Sequence, residues 1–145
     1  MRVGLVGCVK SKRSSRASAA DLYISPLFVG RRRAVESTCD RWYVLSALHG
    51  LVSPDAVIEP YDRTLNDSTV AERRAWSSRV INDLVRELGS LSGLEFEIHA
   101  GASYVGDGLV EGLQRRGADV EVPLEGMPLD RQLAFYARSR PPQRG

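Results

Sequence analysis

Four short apolar runs, each ending in small or polar residues and each leading into a segment of helical character, constrain what this chain can fold into. The runs are Arg2–Cys8, Trp42–Ala47, Leu94–Ala100 and Val120–Leu124. They are too short for buried helices and rich in β-branched and aromatic residues, so they read as strands. Ser25-Pro26 supplies an N-cap and a proline at the first helical position, starting a helix that reaches about Ser37. Thr69 and Glu72 form a capping box, and Trp76, Val80, Ile81, Leu84, Val85 and Leu88 then follow at helical spacing before Gly89. Ala102–Arg116 carries Val105, Leu109, Val110 and Leu113 on one face, with Gly117 as its C-cap, and Leu129–Arg138 forms a closing helix. Such alternation predicts an α/β fold: a three-layer αβα arrangement around a central, mostly parallel four-stranded sheet with right-handed crossovers.

With 145 residues the chain has the size of one domain, here residues 1–138, followed by a tail over 139–145 expected to be flexible. Hydrophobic residues make up 43% and charged ones 26%, and no apolar run is long enough to span a bilayer, so the expectation is a domain with no membrane partner. The first residues lack the pattern of a signal peptide, which points to the cytoplasm. Cys8 and Cys39 are the only cysteines, too few for a disulfide framework or a Cys-only zinc site. Neither a metal nor a cofactor is expected.

In open parallel sheets ligands bind beyond the carboxyl ends of the strands. The residues leaving those ends here are Cys8 to Lys12, Ser46 to Gly50, Gly101 to Tyr104, and Glu125-Gly126. Two long loops, residues 10–21 and 51–66, also begin there. Of 20 basic residues only Lys10 and Lys12 are lysines, and both lie in the first loop beside Ser11. A lysine offers a compact ammonium and an amine able to act as nucleophile or base. The Gly7–Lys12 stretch lacks the glycine spacing of a P-loop, yet its backbone N–H groups, two ammonium charges and Ser11 suit a phosphate or a polar base edge. His49 offers an acid or base near neutral pH, and Glu59, Tyr61 and Asp62 in the following loop add two carboxylates and a phenol. Cys8 at a strand end reads as a small core residue, and His99 inside the third strand as structural. Arg31-Arg32-Arg33 reads either as a nucleic-acid patch or as a solvated helix face.

Three blocks carry a resemblance: Asp21-Leu22-Tyr23-Ile24-Ser25-Pro26-Leu27-Phe28, Leu45-Ser46-Ala47-Leu48-His49-Gly50-Leu51, and Glu59-Pro60-Tyr61-Asp62-Arg63-Thr64-Leu65. Together with Gly101-Ala102-Ser103-Tyr104 and Pro123-Leu124-Glu125-Gly126, they resemble a poorly characterised bacterial and phage domain family over about Val3 to Tyr136. That family is similar in turn to the YaaA-type proteins and to the uracil-DNA-glycosylase-like domain of archaeosine synthase. In those proteins a Cys-x-x-x-Lys motif, matched here by Cys8 and Lys12, carries a lysine used on a modified nucleobase. The Pro-Tyr that follows the lysine there is replaced by Arg13-Ser14. The resemblance implies a uracil-DNA-glycosylase-like or Rossmann-like fold and a pocket for a nucleobase, nucleoside or nucleotide.

The expectation is therefore an enzyme acting on such a compound, by N-glycosidic bond hydrolysis or base transfer. Lys12, His49, Asp62 and Glu59 are the candidate catalytic residues. Cys8, Lys10, Ser11, Tyr23, Ser46, Tyr61, Gly101, Tyr104 and Glu125 are the candidate substrate-binding ones. Tyr23 or Tyr61 would stack on the base, and a carboxylate from Glu59, Asp62 or Glu125 would stabilise an oxocarbenium-like sugar. The alternatives are a noncatalytic module that binds nucleic acid, and a lysine-dependent base-modifying transferase or lyase.

Overall fold

The structure, a computed structural model, describes residues 1–10 and 12–138. Ser11 and the tail over 139–145, both of which figure in the expectations above, lie outside the described residues. The first apolar run forms β1 (Arg2–Gly7), buried from Val3 onward and central in the sheet. It pairs in parallel with β3 (Arg41–Ser46) on one side and β6 (Glu95–His99) on the other, so Leu5 stands opposite both Tyr43 and Ile98. β7 (Asp119–Glu121) extends the sheet beyond β6, also in parallel.

The sheet has five strands rather than four. The additional strand is β4 (Gly50–Val52), which turns back antiparallel along β3 at the opposite edge. It falls in the segment read as loop, because three residues are too few to show a period. The reversal is sharp: the His49 N–H donates to Ser46 Oγ at 3.0 Å, and Gly50 adopts φ +75°. A side chain at that φ would be strained. The first long loop likewise contains structure, β2 (Ala17–Ser18) and α1 (Ala19–Leu22). β2 pairs antiparallel with β5 (Val57–Ile58) of the second loop, giving a small separate ladder.

The helix signals act as expected at two N-termini. Ser25 Oγ accepts from the Phe28 N–H at 3.2 Å and starts α2 (Pro26–Thr38). Thr69 and Glu72 close both bonds of the capping box that starts α3 (Val70–Leu88), which ends at Gly89. The helix expected over 102–116 is instead two, α4 (Ala102–Val105) and α5 (Leu109–Arg115). They part at Gly106-Asp107-Gly108, where Gly108 takes φ +107°. Last comes α6 (Leu129–Arg138).

α2 packs on β1 and against α6, while α3 packs on β4 and against α5. β1 connects through α2 to β3 on one side of it, whereas the chain then crosses by way of α3 to β6 on its other side. The carboxyl end of β1 is thus where successive connections diverge, the usual place for a ligand crevice in such sheets. Among the described residues no helix is long and apolar enough to cross a membrane.

Candidate functional site

Cys8 follows β1 directly, and its N–H donates to the Leu45 carbonyl at 2.9 Å, so the strand pairing continues one residue into the turn. The chain then reverses: Lys12 bridges antiparallel to Tyr23, and the Arg13 N–H donates to the Leu22 carbonyl at 2.8 Å. Lys12 and Tyr23 are brought side by side in this way. Ser46 closes β3, Tyr61 enters from the loop after β5, and Tyr104 sits on α4 just beyond β6.

These residues meet in a connected polar cluster. The His49 N–H donates to Ser46 Oγ, Ser46 Oγ donates to Tyr61 Oη at 2.8 Å, and Tyr61 Oη lies 2.5 Å from Tyr23 Oη. Since Tyr61 receives the serine proton, its own is free to be given to Tyr23. Lys12 Nζ lies 4.5 Å from the centre of the Tyr61 ring and 5.6 Å from that of Tyr23, the geometry of a cation–π contact. The His49 ring meets Tyr61 edge-on with centres 5.5 Å apart. Burial pushes the Tyr23 and Tyr61 hydroxyls well above the ordinary phenol range, so both remain neutral donors. Burial also lowers the Lys12 ammonium, against the opposing pull of Cys8 and Asp62.

A second group adjoins the first. Cys8 Sγ is 3.1 Å from Tyr104 Oη, and the Trp76 indole N–H donates to the Ser46 carbonyl at 2.9 Å. The Trp76 and Tyr104 rings meet edge-on, with centres 5.4 Å apart. Burial raises the Tyr104 hydroxyl above its ordinary range. Next to Trp76 opens a cleft of about 390 Å³, lined by Ala47, Leu48, Arg63, Leu65 and Arg79 among others. Arg79 steadies its rim by donating to the carbonyls of Leu48 and His49 at 3.1 and 2.9 Å.

The candidate residues therefore divide. Lys12, Tyr23, Ser46, His49 and Tyr61 form one contact set, and Cys8 with Tyr104 forms another beside it. Asp62 is exposed but within electrostatic reach of Lys12. Gly101 takes part through its backbone, its carbonyl accepting from the Tyr104 N–H at 2.9 Å. Lys10 is exposed and contributes only its carbonyl, 3.3 Å from Lys12 Nζ. Glu59 points into solvent, 3.9 Å from Arg16, and Glu125 sits exposed in the turn after β7 at the sheet edge. No hydrogen bond among the described residues ties either carboxylate to the cluster.

Arg31-Arg32-Arg33 is not one surface. Arg31 is buried; Arg32 pairs with Asp21 and Glu36 and lies over Trp42; only Arg33 is fully exposed. The triplet follows the helical turn, so its members point in different directions.

Three features were missed at the level of sequence. Trp76 reads there as one more apolar helix position, although a buried indole N–H needs an acceptor. The other two are the burial of Arg31 and the network around His99. Glu97 and His99 lie two apart on β6 and so share a face. Glu97 Oε1 accepts from Arg2 Nη2 at 2.7 Å, and Glu97 Oε2 accepts from Thr38 Oγ1 at 3.1 Å. Burial raises this carboxyl, but the hydrogen bonds from His99 and Arg2 outweigh it and hold it at about 2. An ionised carboxylate can only accept, so His99 Nε2, 2.8 Å away, carries a proton. His99 Nδ1 lies 2.7 Å from Tyr136 Oη, which ties β6 to the last helix. Among the described residues no group of three or more His, Cys, Asp or Glu side chains could hold a metal ion.

The model of a family of unknown function, DUF6884, matches residues 3–138. The chain belongs to that family. Its match takes in both loops of the cluster and the helix that carries Tyr136. No curated protein and no solved structure matches the chain.

Proposed function

We propose that this protein is an enzyme acting on a nucleobase-bearing compound, cleaving its N-glycosidic bond at the carboxyl ends of β1, β3 and β6. The observation that carries the reading is Lys12: a half-buried amine over the Tyr61 ring, its ammonium disfavoured by burial, at the point where the strand connections diverge. The spacing of Cys8 and Lys12, similar to that of the YaaA-type proteins and the uracil-DNA-glycosylase-like domain of archaeosine synthase, supports a nucleobase as the group handled.

In this reading the departing base takes up negative charge, which Lys12 stabilises while the anomeric carbon becomes oxocarbenium-like. Asp62 is the carboxylate available to that cation, since Glu59 and Glu125 are directed elsewhere. Water attacks the sugar and gives a proton to Asp62, the C–N bond breaks, and the departing base takes a proton from His49. Tyr61 offers the base its partly exposed ring, and the buried Tyr23 and Ser46 hold that ring from behind through their hydrogen bonds.

The lowered Lys12 ammonium also favours a second reading, a lysine-dependent lyase or transferase in which the free amine attacks the substrate. A noncatalytic nucleic-acid module has less support, because the arginine triplet does not present one basic face.

The test is release of free base, followed by chromatography, from a panel of nucleosides, nucleotides and short single strands, with wild type, Lys12→Met and Lys12→Arg. Release by wild type and its loss in Lys12→Met is the expected result. Borohydride trapping of a covalent adduct in wild type, absent in both variants, selects the second reading. If wild type neither releases base nor is stabilised by any compound of the panel, the proposed function is refuted.

A further inference from the structure

Arg31, at the middle of α2, is buried to 5% exposure, the only arginine or lysine among the described residues in that class. Its Nη1 makes a long contact, 3.4 Å to the carbonyl of Gly7 at the end of β1, and its buried Nε has no partner among the described residues. The Tyr136 hydroxyl stands beside it, and Cys8 and Tyr104 lie within its electrostatic reach. No carboxylate pairs with it among the described residues.

This is an unusual arrangement for a guanidinium. It carries five N–H donors and a fixed positive charge, and burial without a counter-charge is costly. Tyr136 does not neutralise it: burial pushes the tyrosine hydroxyl up to about 12, so it stays an uncharged phenol. The nearest carboxylate of that network, Glu97, is engaged by His99, Arg2 and Thr38. Gly7 fits this crowded strand end because it has no side chain: an ideal Cβ there would stand 2.7 Å from Ala100 Cβ and 3.6 Å from Nη1.

We propose that the counter-charge comes from the ligand: an oxyanion, the phosphoryl group of a nucleotide, held at the end of β1 with Arg31 as its buried anchor. The planar fork of donors suits a phosphate, and Lys12 belongs to the same strand-end loop. The inference rests on the nucleotide reading above and narrows it, since nucleosides and free bases lack the group that Arg31 holds.

Thermal unfolding of wild type, Arg31→Met, Arg31→Lys and the exposed control Arg33→Met is followed in potassium phosphate against potassium chloride of equal ionic strength. A nucleoside and its 5′-monophosphate form a second pair of arms. Inorganic phosphate is expected to raise the melting temperature of wild type and Arg33→Met saturably. Arg31→Lys should need about tenfold more phosphate, and Arg31→Met should not respond. Arg31→Met should also melt no lower than wild type without phosphate, because an apolar side chain replaces an unpaired buried charge. A wild type that shows no saturable response overturns the proposal, whatever the variants do, and so does an Arg31→Met that keeps the wild-type midpoint. Phosphate binding lost in Arg31→Met, with no nucleotide bound, upholds the anchor while the nucleotide reading fails. Equal binding of nucleoside and nucleotide in both proteins overturns the anchor and leaves that reading standing.

Discussion

Replacing Gly30 by alanine would test how firmly α6 is docked. A Cβ built on Gly30 stands 2.5 Å from Tyr136 Cβ, 2.6 Å from its Cγ and 3.1 Å from its Cδ2. Carbon atoms in ordinary contact sit about 3.5–4.0 Å apart, so Tyr136 would have to retreat by roughly 1 Å. Its ring cannot simply swing aside, because its hydroxyl is tied to His99 Nδ1 at 2.7 Å. Retreat therefore stretches a buried hydrogen bond as well as parting two helices. Overpacking of this kind costs about 1–3 kcal/mol and a weakened buried hydrogen bond about 1 kcal/mol, against a gain of about 1 kcal/mol for alanine in a helix. The expected net loss is about 2 kcal/mol, read as a lower urea midpoint at unchanged slope by the fluorescence of Trp42 and Trp76. Gly112→Ala is the control, since there the obstacle is Ile81 Cδ1, the free end of a side chain that can turn away. Equal stability of Gly30→Ala and wild type, or equal losses in the two variants, would refute the reasoning.

Glu97→Gln should change how stability responds to acid. The folded carboxyl sits at about 2, below its ordinary 4.5, so its stabilisation is complete above 4.5 and fades as the pH falls towards about 2. Melting temperature should drop less steeply over that interval in Glu97→Gln than in wild type, and parallel curves would exclude the carboxylate as the source. Lys12→Met should act in the opposite sense. Burial lowers the Lys12 ammonium, so the folded state carries a penalty at neutral pH that is relieved as the pH rises towards the unfolded value of 10.5. The variant should melt at or above wild type at neutral pH, with the difference shrinking in alkali; a variant less stable than wild type would show that the aromatic contact outweighs desolvation.

What could be read in advance followed the local physics. β1, the Ser25 cap, the Thr69–Glu72 capping box and the Gly89 stop each depend on residues within a few positions of one another. The strand ends were legible for the same reason, and with them the polar residues from Cys8 and Ser46 onward. β4 was not, because a three-residue strand exists only through its pairing with β3. The break between α4 and α5 was hidden by apolar spacing that continues across Gly106 and Gly108. Arg31 shows the limit most clearly. In a run of three arginines nothing local marks one as buried; Gly30 and a tyrosine from the last helix decide it. Glu59 looked like a partner for Lys12 because Tyr61 and Asp62 follow it, but β5 ends at Ile58 and leaves it facing Arg16.

The ladder of β2 with β5 also bears on how such a site can be altered. Ser18 pairs with Val57, and the N–H groups of Ala19 and Ala20 donate to the carbonyls of Ala56 and Pro54 at 2.8 and 2.9 Å. The loop that carries Lys12 and the loop that carries Tyr61 are thereby laced to each other. Neither can be exchanged, lengthened or redesigned by itself without cutting that lacing. A chimera between two members of this family would have to transplant residues 10–24 and 47–66 from the same parent. Divergence in ligand preference within the family would accordingly appear as paired changes in the two segments.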